Sequence, residues 1–275
     1  MTDHALLVRP VFRPRHAHQR AHPVKMHISL LDGVFLRVGD REVVLNSCKA
    51  RALIGYLVLA PNMKETRGRL VGLLWSEIEE EKARASLRQL LHLLREVFDA
   101  AGVVGLSADK ERVWLDESVI VTDLHRLLAS IDQGEAAELL DNEASITDTL
   151  LRGYDDLDPS FGSWLTIKRE GIRRMLIRKL EVQLCELSHR AETIKNISRA
   201  LFQIDPTHEV ACQKLMSACV ALGNAGSALA AYKQLWECLE HEYGLEPSIA
   251  TQELVVAIKR GELAPSSAIS GEERT

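Results

Sequence analysis

The chain has 275 residues, of which 46% are hydrophobic and 27% charged. That balance excludes disorder as its main state and allows one large domain or two of ordinary size. No apolar run approaches the roughly 20 residues of a membrane-spanning helix. The five cysteines, Cys48, Cys185, Cys212, Cys219 and Cys238, form no C-x-x-C pair, so a reduced, cytoplasmic chain is expected, without a disulfide or zinc scaffold. The formal net charge of −5 is unevenly spread, with +4 over residues 1–25, −1 over 26–130 and −8 over 131–275. A global charge of this kind says nothing about what the first half binds; the placement of charge on its surfaces decides that.

Residues 1–25 carry Arg9, Arg13, Arg15, Arg20 and Lys25 against Asp3 alone, with three prolines and no hydrophobic period. They read as a disordered basic arm without the apolar stretch of a secretory signal. His4, His16, His18 and His22 have no Cys, Asp or Glu at ligand spacing beside them, so no metal site is expected. Translation starts at Met1 or at Met26, where patterned sequence begins.

From Met26 the hydrophobic period is two. His27 to Leu31, Val34 to Val38 and Glu42 to Leu45 are predicted strands, separated by Asp32-Gly33 and Gly39-Asp40 turns. The period then becomes 3.6. Ser47 caps a predicted helix that ends near Ala60, before Pro61-Asn62. Thr66 caps a short helix through Leu74, and Trp75 follows as a core anchor. After the polar stretch Ser76 to Glu80, a long helix is expected from about Glu81 to Asp99. Val103 to Leu106 and Arg112 to Leu115 then form a hairpin around Ser107-Ala108-Asp109-Lys110-Glu111. Sheet, three helices and hairpin are the order of a winged helix-turn-helix with an added N-terminal sheet.

From Asp123 the pattern is helical throughout. Expected helices are Asp123–Ser130, Ala136–Asn142, Ser163–His189, Ile194–Phe202, His208–Leu222, Ser227–Glu242 and Ser248–Lys259. Breaks fall at Asp205-Pro206, Gly223-Asn224, Gly244 and Pro247. Consecutive antiparallel helices with short turns and small residues between them, such as Ala200, Ala218, Ala228 and Ala231, suggest a tetratricopeptide-like array. The fold class is therefore mostly α with a small β component. The expected division is a basic arm at 1–25, a winged helix at 26–120, a helical domain at 121–262 and a flexible tail at 263–275.

The long helix is sharply two-sided. Ala83, Leu87, Leu90, Leu91, Leu94 and Phe98 share one face, while Arg84, Arg88, His92 and Arg95 lie on the other, with Gln89 at its margin. A helix that reads the DNA major groove needs such a face. Arginine pairs bidentately with guanine and glutamine with adenine, and arginines near the helix ends position it on phosphate. Arg88 and Gln89 are the expected base readers, with Arg84 and Arg95 as positioning groups. Lys49 and Arg51 in the first turn of the first helix, Arg67 and Arg69 at the start of the second, and Lys110 and Arg112 at the hairpin tip form the expected supporting set. Each alone fits an ordinary solvated charge; their joint placement around a groove favours binding. Glu77, Glu79, Glu80 and Glu81 either complement the dipole of the third helix or form a protein-contact patch.

Ser47-Cys48-Lys49-Ala50-Arg51-Ala52-Leu53, Leu73-Leu74-Trp75 and Ala83-Arg84-Ala85-Ser86-Leu87-Arg88-Gln89-Leu90 resemble the DNA-binding domain of the Streptomyces antibiotic regulatory protein (SARP) family, an OmpR-type winged helix. Leu151-Arg152-Gly153-Tyr154-Asp155, Trp164-Leu165 through Arg173, and Tyr243-Gly244-Leu245-Glu246-Pro247 resemble the bacterial transcriptional activator domain that follows it in that family. The resemblance spans about residues 26–260. It implies an activator that binds direct repeats of double-stranded DNA near promoters as a side-by-side homodimer. It also implies recruitment of RNA polymerase through the sigma factor, with Glu77, Glu79 and Glu80 as the polymerase contact. The family often has a polar pair where Ala85 and Ser86 stand, which implies a different base preference. No G-x-x-x-x-G-K-[ST] occurs and no receiver domain fits, so the short form without an ATPase is expected.

An enzyme is not expected, since no G-x-S-x-G, H-E-x-x-H or glycine-rich phosphate loop occurs. Cys212 and Cys219 share a helix face and read as buried thiols. No cofactor and no membrane partner are expected. The alternative is a protein-interaction scaffold in which the helical repeats do the work and the winged helix is a protein-contact or dimerisation domain.

Overall fold

The computed structural model describes residues 24–134, 146–186 and 190–263. Residues 1–23 of the basic arm with its histidines, the expected helix Ala136–Asn142 and nearly all of the C-terminal tail lie outside them. The chain opens with β1 (Met26–Ser29), β2 (Phe35–Val38) and β3 (Arg41–Val43). Met26, Ile28 and Leu36 point into the core while His27, Phe35 and Arg37 face out, the alternation that a half-buried sheet requires. The three strands are antiparallel neighbours, with Met26 opposite Val38 and Leu36 opposite Val43.

Next come α1 (Cys48–Leu59), β4 (Lys64–Thr66), α2 (Arg67–Leu74) and α3 (Glu80–Ala100). Both expected caps form: the Ser47 hydroxyl accepts the Ala50 N–H at 3.3 Å and the Thr66 hydroxyl accepts the Arg69 N–H at 3.3 Å. Leu53, Ile54 and Leu57 of α1, Leu70, Leu73 and Leu74 of α2, and Leu87, Leu94 and Phe98 of α3 bury together. Each such side chain contributes about 1.5–3 kcal/mol on full burial. The hairpin is β5 (Leu106–Ala108) and β6 (Arg112–Leu115). Its first strand begins at the last residue of the expected run, because Val103 packs in the core and Val104 faces solvent. β4 pairs with β6, so the wing sheet has the order β4-β6-β5. β4 was not expected; three residues are too few to display a period.

A further unpredicted strand, β7 (Ile120–Thr122), runs parallel to β1 and completes a four-stranded sheet of order β3-β2-β1-β7. The expected division at 120/121 falls inside this strand. β7 leads directly into α4 (Asp123–Asp132). The Asp123 carboxylate accepts the N–H groups of Leu30 at 2.9 Å, Leu31 at 3.0 Å and Leu124 at 2.8 Å, tying the end of β1 to the start of α4. After α5 (Ile146–Thr149) the chain returns to the same place, where the Leu151 N–H donates to the Leu30 carbonyl at 2.8 Å and the Asp32 N–H to the Thr149 carbonyl at 2.9 Å.

The long helix α6 (Pro159–Glu186) starts four residues before the expected Ser163, with proline at its first position, where a missing N–H costs nothing. Gly162 lets this start lie on the preceding turn, since a Cβ there would stand 2.4 Å from the Asp155 carbonyl oxygen. The array continues through α7 (Ala191–Ile204), α8 (Glu209–Ala221), α9 (Ala225–Tyr243) and α10 (Ile249–Arg260). Ala200, Ala211, Ala218, Ala228 and Ala231 are buried between these helices. The His208 ring caps α8 by accepting the Ala211 N–H at 3.1 Å, and its other nitrogen meets Glu181 of α6 at 3.0 Å. Gly244 ends α9 in the left-handed conformation (φ 64°). The fold is a winged helix-turn-helix followed by an all-α, tetratricopeptide-like array, the class expected from the sequence.

Asp123→Ala strands the amides of Leu30, Leu31 and Leu124. It should lower unfolding free energy by about 1–3 kcal/mol in urea titration, whereas Asp132→Ala, which removes only a partly exposed ion pair with Lys179 at the end of the same helix, should cost well under that.

Candidate nucleic-acid interface

On α3, Ala83, Leu87, Leu90, Leu91, Leu94 and Phe98 are buried, and Arg84, Arg88, Gln89, His92 and Arg95 are all exposed. Arg84 donates from Nε to Glu80 at 2.9 Å, one helical turn earlier. His92 stands 3.3 Å from Glu96. Arg95 reaches the wing, where its guanidinium lies 3.4 Å from the Ala108 carbonyl oxygen. Arg88 and Gln89 make no side-chain hydrogen bond or ion pair among the described residues. They are therefore the two groups of this face whose donors nothing in the fold engages.

The wing tip is held by a compact set of bonds. The Asp109 carboxylate accepts the N–H groups of Glu111 at 2.7 Å and Arg112 at 2.6 Å. These bonds, the Arg112 one foremost, hold the Asp109 carboxyl below the usual carboxylate range. Arg67, at the start of α2, donates from Nε to the Asp109 carbonyl at 2.8 Å, and its backbone N–H donates to the Glu111 carbonyl at 2.7 Å. Arg67 thus locks α2 to the wing instead of projecting freely. Lys110 and Arg112 remain exposed at the tip. Lys64 of β4, absent from the expected set, lies 4.7 Å from the centre of the Trp114 ring and adds a cation to the wing sheet. Only the pairing of β4 with β6 brings it there.

Arg69 is exposed beside the Tyr56 phenol. That phenol donates to Glu65 at 2.7 Å and is pushed up to about 12 by burial and by Glu65. Lys49 and Arg51 are placed differently from expectation. The Lys49 ammonium donates to the Leu74 carbonyl at 2.7 Å and lies 4.9 Å from the centre of the Trp75 ring. Burial lowers its pKa, against the pull of Asp158. The Arg51 guanidinium contacts the Cys48 sulfur at 3.2 Å, and its Nε is buried without a hydrogen-bond partner among the described residues. Lys49 thereby caps the Leu74 carbonyl at the end of α2, whereas Arg51 lies against Cys48 of its own helix.

In the turn between α2 and α3, Glu77, Glu79, Glu80 and Glu81 are exposed, with Ile78 among them at 46% exposure. Glu79 pairs with Lys82 at 3.0 Å. The turn is anchored from the helical half: the buried Asp158 carboxylate accepts the Ser76 N–H at 2.9 Å and its hydroxyl at 2.6 Å. Asp158 also caps α6 through the Ser160 N–H at 3.0 Å. Cys212 and Cys219 are buried, and burial pushes both thiols up, Cys212 to about 12. Both are held as unreactive thiols. Among the described residues no helix is long and apolar enough to cross a membrane.

The architecture is a winged helix-turn-helix, with a basic outer face on its third helix, joined to a helical-hairpin array. Residues 152–259 match the family of bacterial transcriptional activator domains. The solved structure of Mycobacterium tuberculosis EmbR, determined in complex with a low-affinity phosphopeptide, shares the fold with a TM-score of 0.55 and 22% sequence identity. The match covers 86% of this chain and 66% of the EmbR chain, so this chain spans just under two thirds of that length. No curated protein matches in sequence. The domain match assigns residues 152–259 to a bacterial transcriptional activator domain, and the EmbR structure shows that the fold is shared.

The depressed pKa of Asp109 means that its turn is intact above the ordinary carboxylate range and is lost only as pH falls through the lowered value. The amide resonances of Glu111 and Arg112 should therefore titrate together below that range, and Asp109→Ala should abolish the transition in a proton–nitrogen correlation spectrum.

Proposed function

We propose that the protein is a sequence-specific activator that binds double-stranded DNA as a homodimer on direct repeats and recruits RNA polymerase. The observation that carries this reading is the outer face of α3, where Arg88 and Gln89 stand exposed and unengaged beside the wing. In this reading α3 enters the major groove, Arg88 and Gln89 read base edges, and Arg84, His92 and Arg95 complete the face. Arg69 at the start of α2 and Lys110, Arg112 and Lys64 on the wing sheet supply phosphate contacts. Arg67 acts by fixing the wing, and Lys49 and Arg51 by supporting the junction.

The polymerase contact is assigned to the turn carrying Glu77, Ile78, Glu79 and Glu80, which is exposed and presented at a fixed angle by the Asp158 clamp. A sigma-factor region is the proposed partner. The reading unit is drawn at residues 26–122, so that β7 stays with the sheet it completes, and the following helices serve dimerisation and signal input. A scaffold that works through the helical repeats alone would leave the exposed guanidinium and amide on α3 without a role.

In vitro selection from random duplexes with the full-length protein should enrich a direct repeat. Arg88→Ala should cost about 1–3 kcal/mol on that site and relax specificity at one base position. Lys110→Ala should weaken binding evenly across sequences and reduce the salt slope by about one, near −0.9 per phosphate contact. A folded Arg88→Ala protein with unchanged affinity and specificity would falsify the assignment of α3 as the reader. Glu77→Lys should leave DNA affinity unchanged and reduce transcription from a promoter carrying the selected site.

A further inference from the structure

Between the end of α1, α4 and the N-terminal half of α6 lies an open cleft of about 500 Å³. Its walls are apolar: Leu124 and Leu128 from α4, and Trp164, Ile172 and Met175 from α6. The one fixed cation on its lining is Lys168, whose ammonium donates to the Leu59 carbonyl at 2.6 Å and meets no carboxylate among the described residues. An ammonium has three donors, so two remain for another acceptor. Burial lowers the pKa of this group with no opposing charge to restore it.

Gly171 is the second observation. It lies in the interior of α6 and on the lining of the cleft, and a Cβ built there meets no heavy atom within 4 Å. Glycine destabilises a helix interior relative to alanine, and no neighbour here demands its absence of a side chain. Gly171 is itself exposed, and it leaves the mouth of the cleft near Lys168 without a side chain. The cleft also lies within the size range of small-molecule sites, which are mostly apolar with a few placed polar groups.

We propose that this cleft binds a small amphipathic carboxylate, its apolar body against Trp164, Leu128 and Met175 and its carboxylate on the Lys168 ammonium. Such a ligand would touch α1 of the winged helix and α4 and α6 of the helical half at once. It would therefore bear on the contacts that set their mutual position. The proposal does not depend on the DNA-binding reading, because ligand binding is measured without DNA.

The test is calorimetric titration of the full-length protein with decanoate and with decanol, on wild type, Lys168→Met and Gly171→Leu, with circular dichroism and thermal melting as fold controls. Decanoate should bind wild type with one-to-one stoichiometry and about tenfold or more tighter than decanol, the equivalent of one paired charge. Lys168→Met should bring decanoate down to the level of decanol. Gly171→Leu should abolish binding of both while raising the melting temperature, since leucine favours the helix and fills the cleft. Equal affinity for the two probes, decanoate binding that survives Gly171→Leu, or no binding of decanoate to wild type would each overturn the proposal.

Discussion

A backbone amide or carbonyl removed from water must find a partner, and in this chain the partners at the junction come from distant segments. The carbonyl end of α1 is met by Lys168, 109 residues away in sequence. The carbonyl end of α2 is met by Lys49. The amide of Ser76, where α2 turns toward α3, is met by Asp158. The amides that leave β1 are met by Asp123. Each bond closes a helix or strand terminus with a side chain from another element, so the winged helix and the helical array share one set of end-caps. Tyr56 and Trp164, with ring centres 4.6 Å apart, pack across the same seam.

This arrangement separates the charged residues by role. Cations near open carbonyl ends are drawn inward, as Lys49 and Lys168 are, because a desolvated helix end and an ammonium satisfy one another. Arg84, Arg88 and Arg95 of α3 and Lys110 and Arg112 of the wing lie away from helix carbonyl ends and stay exposed, with Arg95 reaching the Ala108 carbonyl of the wing. Arg67 is intermediate: it begins α2 but spends its guanidinium on the wing-tip carbonyl, which fixes the angle between α2 and the hairpin. The face proposed to read DNA is thus a surface of α3 and the wing, while Lys49 of α1 is turned inward to the end of α2. The acidic turn sits at the other end of α3, held by Asp158, so that one helix connects the surface proposed for DNA with the surface proposed for polymerase.

Much of this was legible from one dimension. The apolar stripe of α3 has a strict helical period, and each residue assigned to its two faces lies on the expected side. Ser47 and Thr66 announced their helices because a side-chain oxygen before an apolar period has few other uses. Helices α4 and α6 to α10 were found to within a few residues, since Gly244 and Asp205-Pro206 punctuate them, while the four-residue α5 is too short to show a period. β4 and β7 were invisible for a different reason. Each has three residues, and both exist only because a partner strand, β6 or β1, supplies the hydrogen bonds that a short segment cannot make alone.

The local periods and caps of this sequence determine its helices, its hairpin and the basic outer face of α3, because these depend on residues within a few positions of one another. Where a long side chain ends is another matter. Lys49 and Arg51 sit in a first helical turn, as an anion-binding pair would, yet one caps α2 and the other lies against Cys48 and the junction. The acceptors that draw them, and the cleft lined by Lys168 and Gly171, are assembled from α1, α2, α4 and α6. No local pattern records that assembly, because it forms only when helix ends far apart in the chain are buried against each other and must satisfy their backbone groups together.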